Sequence, residues 1–396
     1  MQVEQVVEGS EAVAMAVCAC RPQVISAYPI SPQTHIVEGL ARMVADGELS
    51  SEFVRVESEF SAASVLAGAS AAGSRSYTAS SSQGLLLMTE VLYASAGMRL
   101  PFVITGVNRS ISAPINIQID QQDTMSLRDA GLIQFYVESV QEAYDMHLAA
   151  FKIAESPDIM LPVMVCMDGW VLTHSYERVQ FVDQADVDRF LPQFAPPNYL
   201  TPDDPKTWGS YAEAESLMEF KYAVHHAMQT GKQRIRSILE ELEGLTGRSW
   251  GGLIEAYRTA DAEVILVALG SVTGTIKESV DQLRKEGKAV GLVKIRCYRP
   301  FPYEDIWTAI NRAKVVAVLD ANCSMGSAGA LSMDLKSKFC GLSKAPRIVD
   351  MIAGLGGREI NPDTVANIVA IAESVADSES MPREPIWIDL NTELIV

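Results

Sequence analysis

One stretch, residues 52–93, constrains the fold more than any other part of the chain. It contains two short runs typical of strands, residues 53–56 and 76–79, and each run leads into a polar turn and then a helix-like segment. Glu59 follows the first run, and a Ser-Ser-Ser-Gln-Gly turn over residues 80–84 follows the second. Ligands of open α/β sheets bind at the carboxyl ends of the inner strands, so this acid and this turn are candidates for one site.

The segment after Glu59 is rich in small side chains. A helix with so little bulk can approach another backbone or a flat ligand closely. The polar turn over residues 80–84 presents hydroxyls and free backbone amides at the start of a helix, where anions and polar groups bind well. The small residues are Ser61, Ala62, Ala63, Ser64, Ala67, Gly68, Ala69, Ser70, Ala71, Ala72 and Gly73.

The pattern along the rest of the chain predicts two α/β units joined by an arm. Over the first 170 residues, mostly apolar strands alternate with helices, which indicates a parallel sheet covered on both faces. A proline-rich connector and a long amphipathic helix follow, and a second α/β pattern begins near residue 261. We therefore expect a first domain over residues 1–195, a connector with an arm helix over 196–255, and a second domain over 256–396.

Composition excludes several classes of protein. The net charge of −18 argues against binding to nucleic acid or to anionic membrane surfaces. No run approaches the roughly 18 uncharged apolar residues of a membrane span, and the acidic N-terminus is unlike a secretion signal, so a cytoplasmic protein is expected. The cysteines form no C-x-x-C pair, which predicts reduced thiols and neither a zinc nor an iron–sulfur site on this chain. They are Cys18, Cys20, Cys166, Cys297, Cys323 and Cys340.

Five segments resemble a known family: AYPISPQTHIVE, EFSAAS, TASSSQGLLLM, NRSISAPINI and IAGLGGRE. They are similar to the α subunit of pyruvate:ferredoxin oxidoreductase and its 2-oxoacid relatives, from the first helix to about residue 375. The resemblance implies a domain that binds the aminopyrimidine of thiamine diphosphate, built as a parallel sheet with helices on both faces. A second α/β domain, resembling the C-terminal domain of transketolases, is expected to follow.

The resemblance also implies a reaction and its partners. The expected enzyme is a 2-oxoacid:ferredoxin oxidoreductase, which oxidises pyruvate with coenzyme A to acetyl-CoA, carbon dioxide and reduced ferredoxin, or runs in reverse. Thiamine diphosphate would be shared with a β subunit that carries the Mg²⁺ and [4Fe-4S] clusters, and γ- and δ-type subunits complete the assembly. Because this chain is acidic, an acidic ferredoxin is expected to dock on a partner chain.

The resemblance assigns roles to individual residues. Thiamine activation needs a carboxyl group that hydrogen-bonds to the pyrimidine N1′, and the resemblance gives Glu59 that role. Glu57 is the alternative acid nearby. The structural alternative is that Glu59 only stabilises the start of its helix. Arg109 would hold the substrate carboxylate, unless it forms a structural salt bridge. Ser31 would bond the substrate, unless its hydroxyl caps the next helix. The predicted cofactor contacts are Pro29, Ile30, Ser82 and Gln83.

Departures from the family pattern leave the substrate open. Relatives that use pyruvate commonly have histidine in place of Phe60 and of Gln121, and the family commonly has threonine in place of Ser31. The less polar surroundings favour a bulkier or aromatic 2-oxoacid, such as an arylglyoxylate, as the alternative to pyruvate. 2-Oxoglutarate stays possible, and oxalate is least favoured, because the turn over residues 28–32 supplies no extra cation. A non-catalytic scaffold subunit is the alternative from another class, and the loop over residues 111–123 has no assigned role.

Four other motifs are interpreted as structural. Asp168 lies in a Met-Asp-Gly turn that lacks the first glycine of a metal-binding Gly-Asp-Gly motif, so it is a strand-end turn. The glycines of residues 354–358 do not follow the G-x-G-x-x-G spacing of a nucleotide loop. His225 and His226 point to neighbouring helix faces and are poorly placed for one metal. Gly270 is typical of a plain turn between a strand and a helix.

Overall fold

Two large sheets and one two-stranded ribbon organise the chain, whose computed structural model describes residues 3–395. The strands are β1 (Val3–Glu8), β2 (Val24–Ala27), β3 (Glu52–Arg55), β4 (Ser76–Ser81), β5 (Val103–Asn108), β6 (Ile133–Tyr136), β7 (Val163–Asp168), β8 (Tyr176–Phe181), β9 (Ile254–Tyr257), β10 (Val264–Ala268), β11 (Val290–Ile295), β12 (Cys297–Arg299), β13 (Val315–Asp320), β14 (Arg347–Ile352) and β15 (Ile386–Trp387). The helices are α1 (Gly9–Ala19), α2 (Thr34–Ala45), α3 (Glu59–Ala71), α4 (Ser82–Leu87), α5 (Thr89–Gly97), α6 (Gln122–Met125), α7 (Val140–Ala154), α8 (Gln184–Phe190), α9 (Leu217–Thr246), α10 (Val272–Lys285), α11 (Tyr303–Ile310), α12 (Ala330–Phe339) and α13 (Pro362–Asp377).

The first sheet has seven strands in the order β12-β6-β7-β5-β4-β2-β3. All of its neighbours are parallel except β12, which comes from late in the chain and runs antiparallel to β6. Strands β4, β5, β6 and β7 are buried along their whole length. Their continuous apolar character follows from burial on both faces.

The second sheet has six strands in the order β15-β14-β13-β10-β11-β9. Only β9, at one edge, is antiparallel to its neighbour. The remaining pair, β1 with β8, forms a separate antiparallel ribbon. The predicted fold class, two α/β units with parallel sheets, is therefore confirmed.

Three apolar clusters hold the layers together. The first lies between one face of the seven-stranded sheet and helices α1, α2, α7 and α9. The second joins α3 and α5 on the opposite face to strands β10, β11 and β13 and to α12 of the second unit. The third packs α10 and α13 on the far side of the second sheet. Because the second cluster draws on both units, the units share one buried core.

Several predicted elements differ in detail from the structure. The sequence pattern predicts the arm helix over about residues 212–242, whereas α9 begins at Leu217 and ends at Thr246, with Gly247 in the left-handed conformation that commonly closes a helix. Strands β1, β8, β9 and β12 were not anticipated, because each is a short edge strand whose partner is remote in sequence. Among residues 3–395, no helix is both long and apolar enough to cross a membrane.

We propose the same division of the chain at residues 195/196 and 255/256. The strand order supports it, since β2–β7 lie in the first sheet and β10, β11 and β13–β15 in the second. Two strands cross this scheme: β9 spans the second boundary, and β12 returns to the first sheet. The units are thus interlocked rather than joined by a free linker.

A buried charge network links the two units. Glu142, on α7, lies 2.6 Å from Lys294 Nζ and also pairs with Arg296, and all three side chains are inaccessible to solvent. Glu138 lies 2.7 Å from both Lys294 and Lys277 of the second unit. Burial alone would raise the pKa of Glu142, but Arg296 and Lys294 outweigh it and lower the value to about 2. Two buried cations therefore share the fully buried carboxylate of Glu142, and Glu138 is a second partner of Lys294.

Glu142→Gln should lower the free energy of unfolding by about 3–5 kcal/mol at pH 7, because it removes the fully buried carboxylate that Lys294 and Arg296 share. The carboxyl titrates near 4.5 when unfolded and near 2 when folded, so its contribution is full above pH 4.5 and is lost as the pH falls towards 2. Urea unfolding at pH 7 and pH 3.5 measures both effects. Glu373→Gln, which breaks an exposed pair with Lys288, is the control and should cost less than about 1 kcal/mol. An equal loss in the two variants would contradict the prediction.

Candidate functional site

The carboxyl ends of five neighbouring parallel strands bring the predicted residues to one edge of the first sheet. From β3 to β7 in sheet order, these ends lead to Glu59, the turn over residues 28–32, Ser82, Arg109 and the turn after Asp168. The registers align Ala27 with Arg55, Ser81 with Val107, and Asn108 with Asp168. The edge follows from the topology, because parallel strands all have their carboxyl ends at the same edge of the sheet.

Glu59 is the first residue of α3 and its side chain is turned inwards. The residue is only 7% exposed, and no described residue donates a hydrogen bond to its carboxylate. Ser58 begins the helix instead, since its hydroxyl accepts a hydrogen bond from the Ser61 N–H at 3.2 Å. Glu59 is therefore not needed as a cap. The carboxylate accepts no hydrogen bond from the described residues, so it keeps its hydrogen-bonding capacity for a ligand at this edge.

The alternative acid, Glu57, lies on the surface. Its carboxylate accepts a hydrogen bond from Ser61 Oγ at 2.6 Å, and this bond lowers its pKa. The two acids are two residues apart but have opposite surroundings, because the chain turns into α3 between them. Glu57 is exposed to solvent and already accepts a hydrogen bond, so it does not need a ligand as a partner. The structure therefore favours Glu59 over Glu57 as the ligand-facing acid.

Gly84, in the first turn of α4, makes room for Glu59. A methyl group on Gly84 would lie 2.6 Å from Glu59 Oε1 and 2.5 Å from Ser80 Oγ, inside van der Waals contact. The carboxylate thus rests directly against the backbone of the polar turn. Ser80 Oγ and Ser81 Oγ are buried and have no hydrogen-bond partner among the described residues. The turn therefore offers unused polar groups beside an unpaired acid.

Arg109 is held at the end of β5 by two hydrogen bonds. Its guanidinium donates to the Ser31 carbonyl at 2.7 Å and to Gln83 Oε1 at 3.3 Å, while Nε is buried without a partner. No described carboxylate lies within 4.0 Å of this guanidinium, so the salt-bridge interpretation is not supported. Burial lowers the pKa of Arg109, and the nearby charge of Asp123 partly offsets this effect. The cation remains available for an anion.

Asp123 is a wholly buried acid that organises the strand ends. Its Oδ2 accepts hydrogen bonds from the backbone N–H groups of Ser82 at 2.9 Å and Arg109 at 3.1 Å. Its Oδ1 accepts from Asn108 Nδ2 at 2.9 Å and from the Thr124 N–H at 2.7 Å. Burial raises the pKa of Asp123 to about 7, and these N–H donors oppose the shift. With four N–H groups directed at its two oxygens, we assign the ionised form.

Ser82 depends on this acid for its conformation. Its φ of 51° lies in the left-handed region, which is unfavourable for a residue with a Cβ. The hydrogen bond to Asp123 and a second one, from Ser82 Oγ to the Ser110 carbonyl at 2.6 Å, hold it there. Ser82 Oγ also contacts Gln83 Oε1. The turn is therefore preorganised by the protein rather than by a ligand.

The turn over residues 28–32 lies beside Arg109. Ser31 is exposed and uses its carbonyl, not its hydroxyl, to accept the hydrogen bond from Arg109. It does not cap α2, whose N-cap residue is Gln33, so the capping interpretation of Ser31 is not supported. Gln33 Nε2 donates to the Tyr28 carbonyl at 2.9 Å and closes the turn. Pro29 is exposed at the same edge and Ile30 is half-buried; their contacts with a cofactor stay predictions.

The residues that raised doubt about the substrate have particular surroundings. Gln121 is buried, and its side chain donates to Asp168 at 3.2 Å. Phe60 is 38% exposed, although Glu59 beside it is buried. Gln121 is thus committed to a contact within the protein, and the described part of the chain does not enclose Phe60. Neither observation supports an aromatic substrate pocket.

The motifs interpreted as structural do make structural contacts. Asp168 accepts hydrogen bonds from Ser271 N and Ser271 Oγ, both at 2.6 Å, and so ties β7 to the start of α10. A methyl group on Gly270 would lie 2.5 Å from Asp168 Oδ2, so glycine permits this approach. The Gly356 N–H donates to the Ile119 carbonyl at 2.9 Å, and its carbonyl accepts from Asn116 at 3.1 Å. Both turns thus fasten the second unit to the first.

The loop over residues 111–123 gains a role from these contacts. Hydrogen bonds anchor it to the second unit at three points. Asn116 and Ile119 bond to Gly356. The Gln121 N–H donates to the Ala321 carbonyl at 2.8 Å, and Gln122 Oε1 accepts from the Cys323 N–H at 3.1 Å. The loop ends at Asp123, so the second unit fixes the acid that orders the strand ends. Sequence reasoning missed Asp123 and Gly84, because neither has a periodicity or spacing that marks it.

Large apolar side chains remain exposed around this edge. Their exposure ranges from 36% for Ile117 to 80% for Met325. Ile115 and Met325 belong to loops that are bonded to each other through Gln121 and Ala321. Exposed apolar side chains grouped around a polar site are typical of a surface that another protein covers. The set is Tyr28, Phe60, Ile115, Ile117, Trp170, Val171 and Met325.

Family comparisons match most of the chain. Residues 15–240 match the family model described as "Pyruvate flavodoxin/ferredoxin oxidoreductase, thiamine diP-bdg", and residues 262–365 match "Pyruvate:ferredoxin oxidoreductase core domain II". The pyruvate synthase subunit PorA of Methanosarcina barkeri is 47% identical over 98% of this chain and 97% of its own length. The ketoisovalerate oxidoreductase subunit VorA of Pyrococcus horikoshii is 41% identical over 98% of each chain.

Solved structures share the fold. A 2-oxoglutarate:ferredoxin oxidoreductase from Magnetococcus marinus superposes with a TM-score of 0.70 at 22% identity, covering 93% of this chain and 65% of that chain. A split-gene transketolase superposes with a TM-score of 0.55 at 13% identity, covering 93% of this chain and 99% of that chain. At these identities the likeness concerns the fold alone, and it confirms the expected resemblance of the fold to that of transketolases.

Gly84→Ala should destabilise the protein by about 1–3 kcal/mol, because the added methyl overlaps Glu59 and Ser80. Gly68→Ala is the matched control: this glycine also lies in a helix, but a methyl there meets no atom within 4 Å. The control should be neutral or more stable by up to about 1 kcal/mol, as expected for alanine in a helix. Urea unfolding of both variants measures the difference. Equal stability of the two would show that the carboxylate does not rest against Gly84.

Proposed function

The chain belongs to the pyruvate:ferredoxin oxidoreductase family, and we propose that it is the α subunit of a thiamine-diphosphate-dependent enzyme that acts on pyruvate. The proposed reaction joins pyruvate and coenzyme A to give acetyl-CoA and carbon dioxide, and two electrons pass singly to ferredoxin; the reverse reaction uses the same site. One observation carries the proposal: Glu59 is buried without a donor at the edge where the polar turn, Arg109 and Ser31 converge.

The described residues fit the pyrimidine half of thiamine diphosphate. Bound thiamine supplies a carbon nucleophile once a carboxyl group has taken part in proton transfer at its pyrimidine ring. Glu59 has the burial and the unfilled hydrogen-bonding capacity for that task, and Gly84 leaves space beside it. The unpartnered hydroxyls of Ser80 and Ser81 offer polar contacts next to it. We assign Ser82, Gln83, Pro29 and Ile30 as further contacts of this half.

Arg109 and Ser31 are the proposed substrate residues. The carbonyl of Ser31 and the side chain of Gln83 hold the guanidinium in place, so little conformational entropy is lost when it binds a carboxylate. Nε remains free to donate a further hydrogen bond. The Ser31 hydroxyl is not engaged by a described residue and can contact the keto oxygen. Together these groups would fix the 2-oxoacid with its carboxylate on the cation.

Pyruvate is the substrate that the observations support best. The 47% identical relative is named for pyruvate synthase. Gln121 and Phe60 suggested an aromatic 2-oxoacid, but neither forms a pocket for one, because Gln121 is hydrogen-bonded to Asp168 and Phe60 is exposed. No observation favours 2-oxoglutarate, oxalate or a decayed, non-catalytic site, because Glu59 and Arg109 keep the surroundings that catalysis requires.

We propose that partner subunits complete the site. A β subunit would hold the diphosphate, the Mg²⁺ and a [4Fe-4S] cluster, and γ- and δ-type subunits would extend the electron path. The exposed apolar side chains around the edge, among them Ile115 and Met325, support such an interface. The acidic charge of −18 supports ferredoxin docking on a partner rather than here.

Glu59→Gln should lower turnover of the reconstituted assembly by about 10²–10⁴-fold, because an amide cannot carry the proton. The assay follows reduction of a low-potential acceptor with pyruvate and coenzyme A, beside a panel of other 2-oxoacids. Glu57→Gln is the matched control, because it removes an exposed acid two residues away, and it should keep turnover close to that of the unmodified enzyme. Undiminished turnover of the Glu59 variant would favour the scaffold alternative. Preference for another 2-oxoacid would overturn only the assignment of pyruvate.

The isolated chain should bind thiamine diphosphate far more weakly than the assembly. Loss of two charge-assisted contacts of about 1.5–3 kcal/mol each to the diphosphate weakens binding by on the order of 10²–10⁴-fold. Calorimetric titration with thiamine diphosphate and Mg²⁺, on the isolated chain and on the assembly, measures the ratio. Tight, Mg²⁺-dependent binding by the isolated chain would contradict a divided site.

A further inference from the structure

Two imidazoles and a carboxylate converge outside the proposed thiamine site. Glu8 ends β1, His35 lies in the first turn of α2, and His174 lies in the turn between β7 and β8. Each offers one ligand atom, and these atoms all lie within 4.8 Å of one another. His35 Nδ1 is 2.7 Å from Glu8 Oε1, and the two imidazole ring centroids are 4.8 Å apart. Three segments remote in sequence thus bring metal-ligating groups together.

The backbone around the cluster is rigid. The Ser10 N–H and Ser10 Oγ donate to the Thr173 carbonyl at 3.0 and 2.9 Å, and so join the start of α1 to the turn that carries His174. A methyl group on Gly9 would lie 1.8 Å from the Leu172 carbonyl oxygen, so the two segments touch at backbone level. The end of β1 and this turn are therefore joined at backbone level, so that Glu8 and His174 are carried by one support.

His174 is oriented as a ligand would be. Its Nδ1 lies 2.7 Å from Thr173 Oγ1, and the same oxygen accepts the Trp170 N–H at 2.9 Å. The Trp170 ring stacks on the imidazole with centroids 4.3 Å apart and planes inclined by 22°. When Nδ1–H is donated to Thr173, the lone pair on Nε2 is free for a metal. A hydroxyl or carbonyl that fixes the second nitrogen is the usual support of a metal-bound histidine.

We propose that Glu8, His35 and His174 bind a zinc ion. Two imidazole nitrogens and one carboxylate oxygen are a zinc-type set, whereas Mg²⁺ and Ca²⁺ prefer oxygen ligands alone. Zinc bonds of about 2.0–2.2 Å in a tetrahedron place the ligand atoms roughly 3.3–3.6 Å apart. Closing from 4.8 Å needs a shift of about an ångström, which the half-exposed His35 side chain can supply. The ion would replace the proton between His35 and Glu8.

Three protein ligands leave one tetrahedral position open. Sites of this kind bind a water or another ligand there, whereas purely structural zinc sites fill all four positions from the protein. The bound ion would cross-link β1, α2 and the turn after β7. His35 lies four residues beyond Ser31, so the cross-link would also stiffen the segment on which Arg109 rests. The ligand set does not include any residue assigned to thiamine or substrate.

The test is a Zn²⁺ titration of the untagged, metal-free full chain by calorimetry, with Co²⁺ absorption as a second readout. One Zn²⁺ per chain and the strong visible bands of tetrahedral Co²⁺ are expected, with no binding of Mg²⁺. His174→Ala and Glu8→Gln should abolish both signals, and Thr173→Val should weaken Zn²⁺ binding about 10–100-fold through loss of the support of His174. Circular dichroism of each variant verifies that it is folded.

The chain supplies its own control for adventitious imidazole binding. His225 and His226 lie together on α9 and do not belong to the cluster. The double variant His225→Ala/His226→Ala should bind Zn²⁺ like the unmodified chain. The proposal is overturned if the unmodified chain binds no Zn²⁺ at tens of micromolar, or if His174→Ala binds Zn²⁺ like the unmodified chain. None of these results depends on the assembled enzyme, so they leave the proposed reaction untouched.

Discussion

A carboxylate that the fold buries without a hydrogen-bond donor is the feature around which the first unit is arranged. Glu59 lies at the end of β3, against the backbone of Gly84, and it receives no donor from the described residues. A carboxylate in a mostly buried residue gives up part of its hydration, and a ligand that hydrogen-bonds to it at this edge would replace that water. The small residues of α3 and the glycine of α4 allow this close packing, so the local sequence is fitted to the acid.

Asp123 shows what a buried acid looks like when its function is structural. Each of its oxygens accepts two N–H groups, and these come from the ends of β4 and β5 and from its own loop. The contrast with Glu59 is informative because both acids lie at the same sheet edge and both are buried. A carboxylate whose oxygens accept all their hydrogen bonds from the protein fixes the surrounding backbone, whereas one without protein donors can still bind a ligand. The number of hydrogen bonds that each carboxylate accepts therefore distinguishes the structural acid, Asp123, from the ligand-facing acid, Glu59, whereas burial alone does not.

The sequence predicts those strands, helices and turns that depend on the pattern of neighbouring residues. The strand β11, the helix α7 and the turn over residues 80–84 follow from runs and periodicities that the chain itself displays. It did not recover β12, which joins a sheet whose other strands precede it by more than a hundred residues, nor the place of Asp123 beneath Ser82. These features depend on contacts between remote segments, which no single-sequence pattern encodes. For the same reason the Glu8, His35 and His174 cluster was not anticipated, although each residue was visible.

The second unit contributes to the site without supplying any of its proposed ligands. It anchors the loop over residues 111–123 through Gly356, Ala321 and Cys323, and this loop delivers Asp123 to the strand ends. The buried network around Glu142 and the shared apolar cluster make that arrangement resistant to movement between the units. Exposed apolar side chains lie around the same edge, and they come from both units, Tyr28 and Phe60 from the first and Met325 from the second. The edge of the first sheet is fixed by the second unit and bordered by exposed apolar side chains. A further protein surface is therefore required to exclude water from it. A carbanion chemistry that water would quench therefore fits a subunit boundary better than an isolated chain.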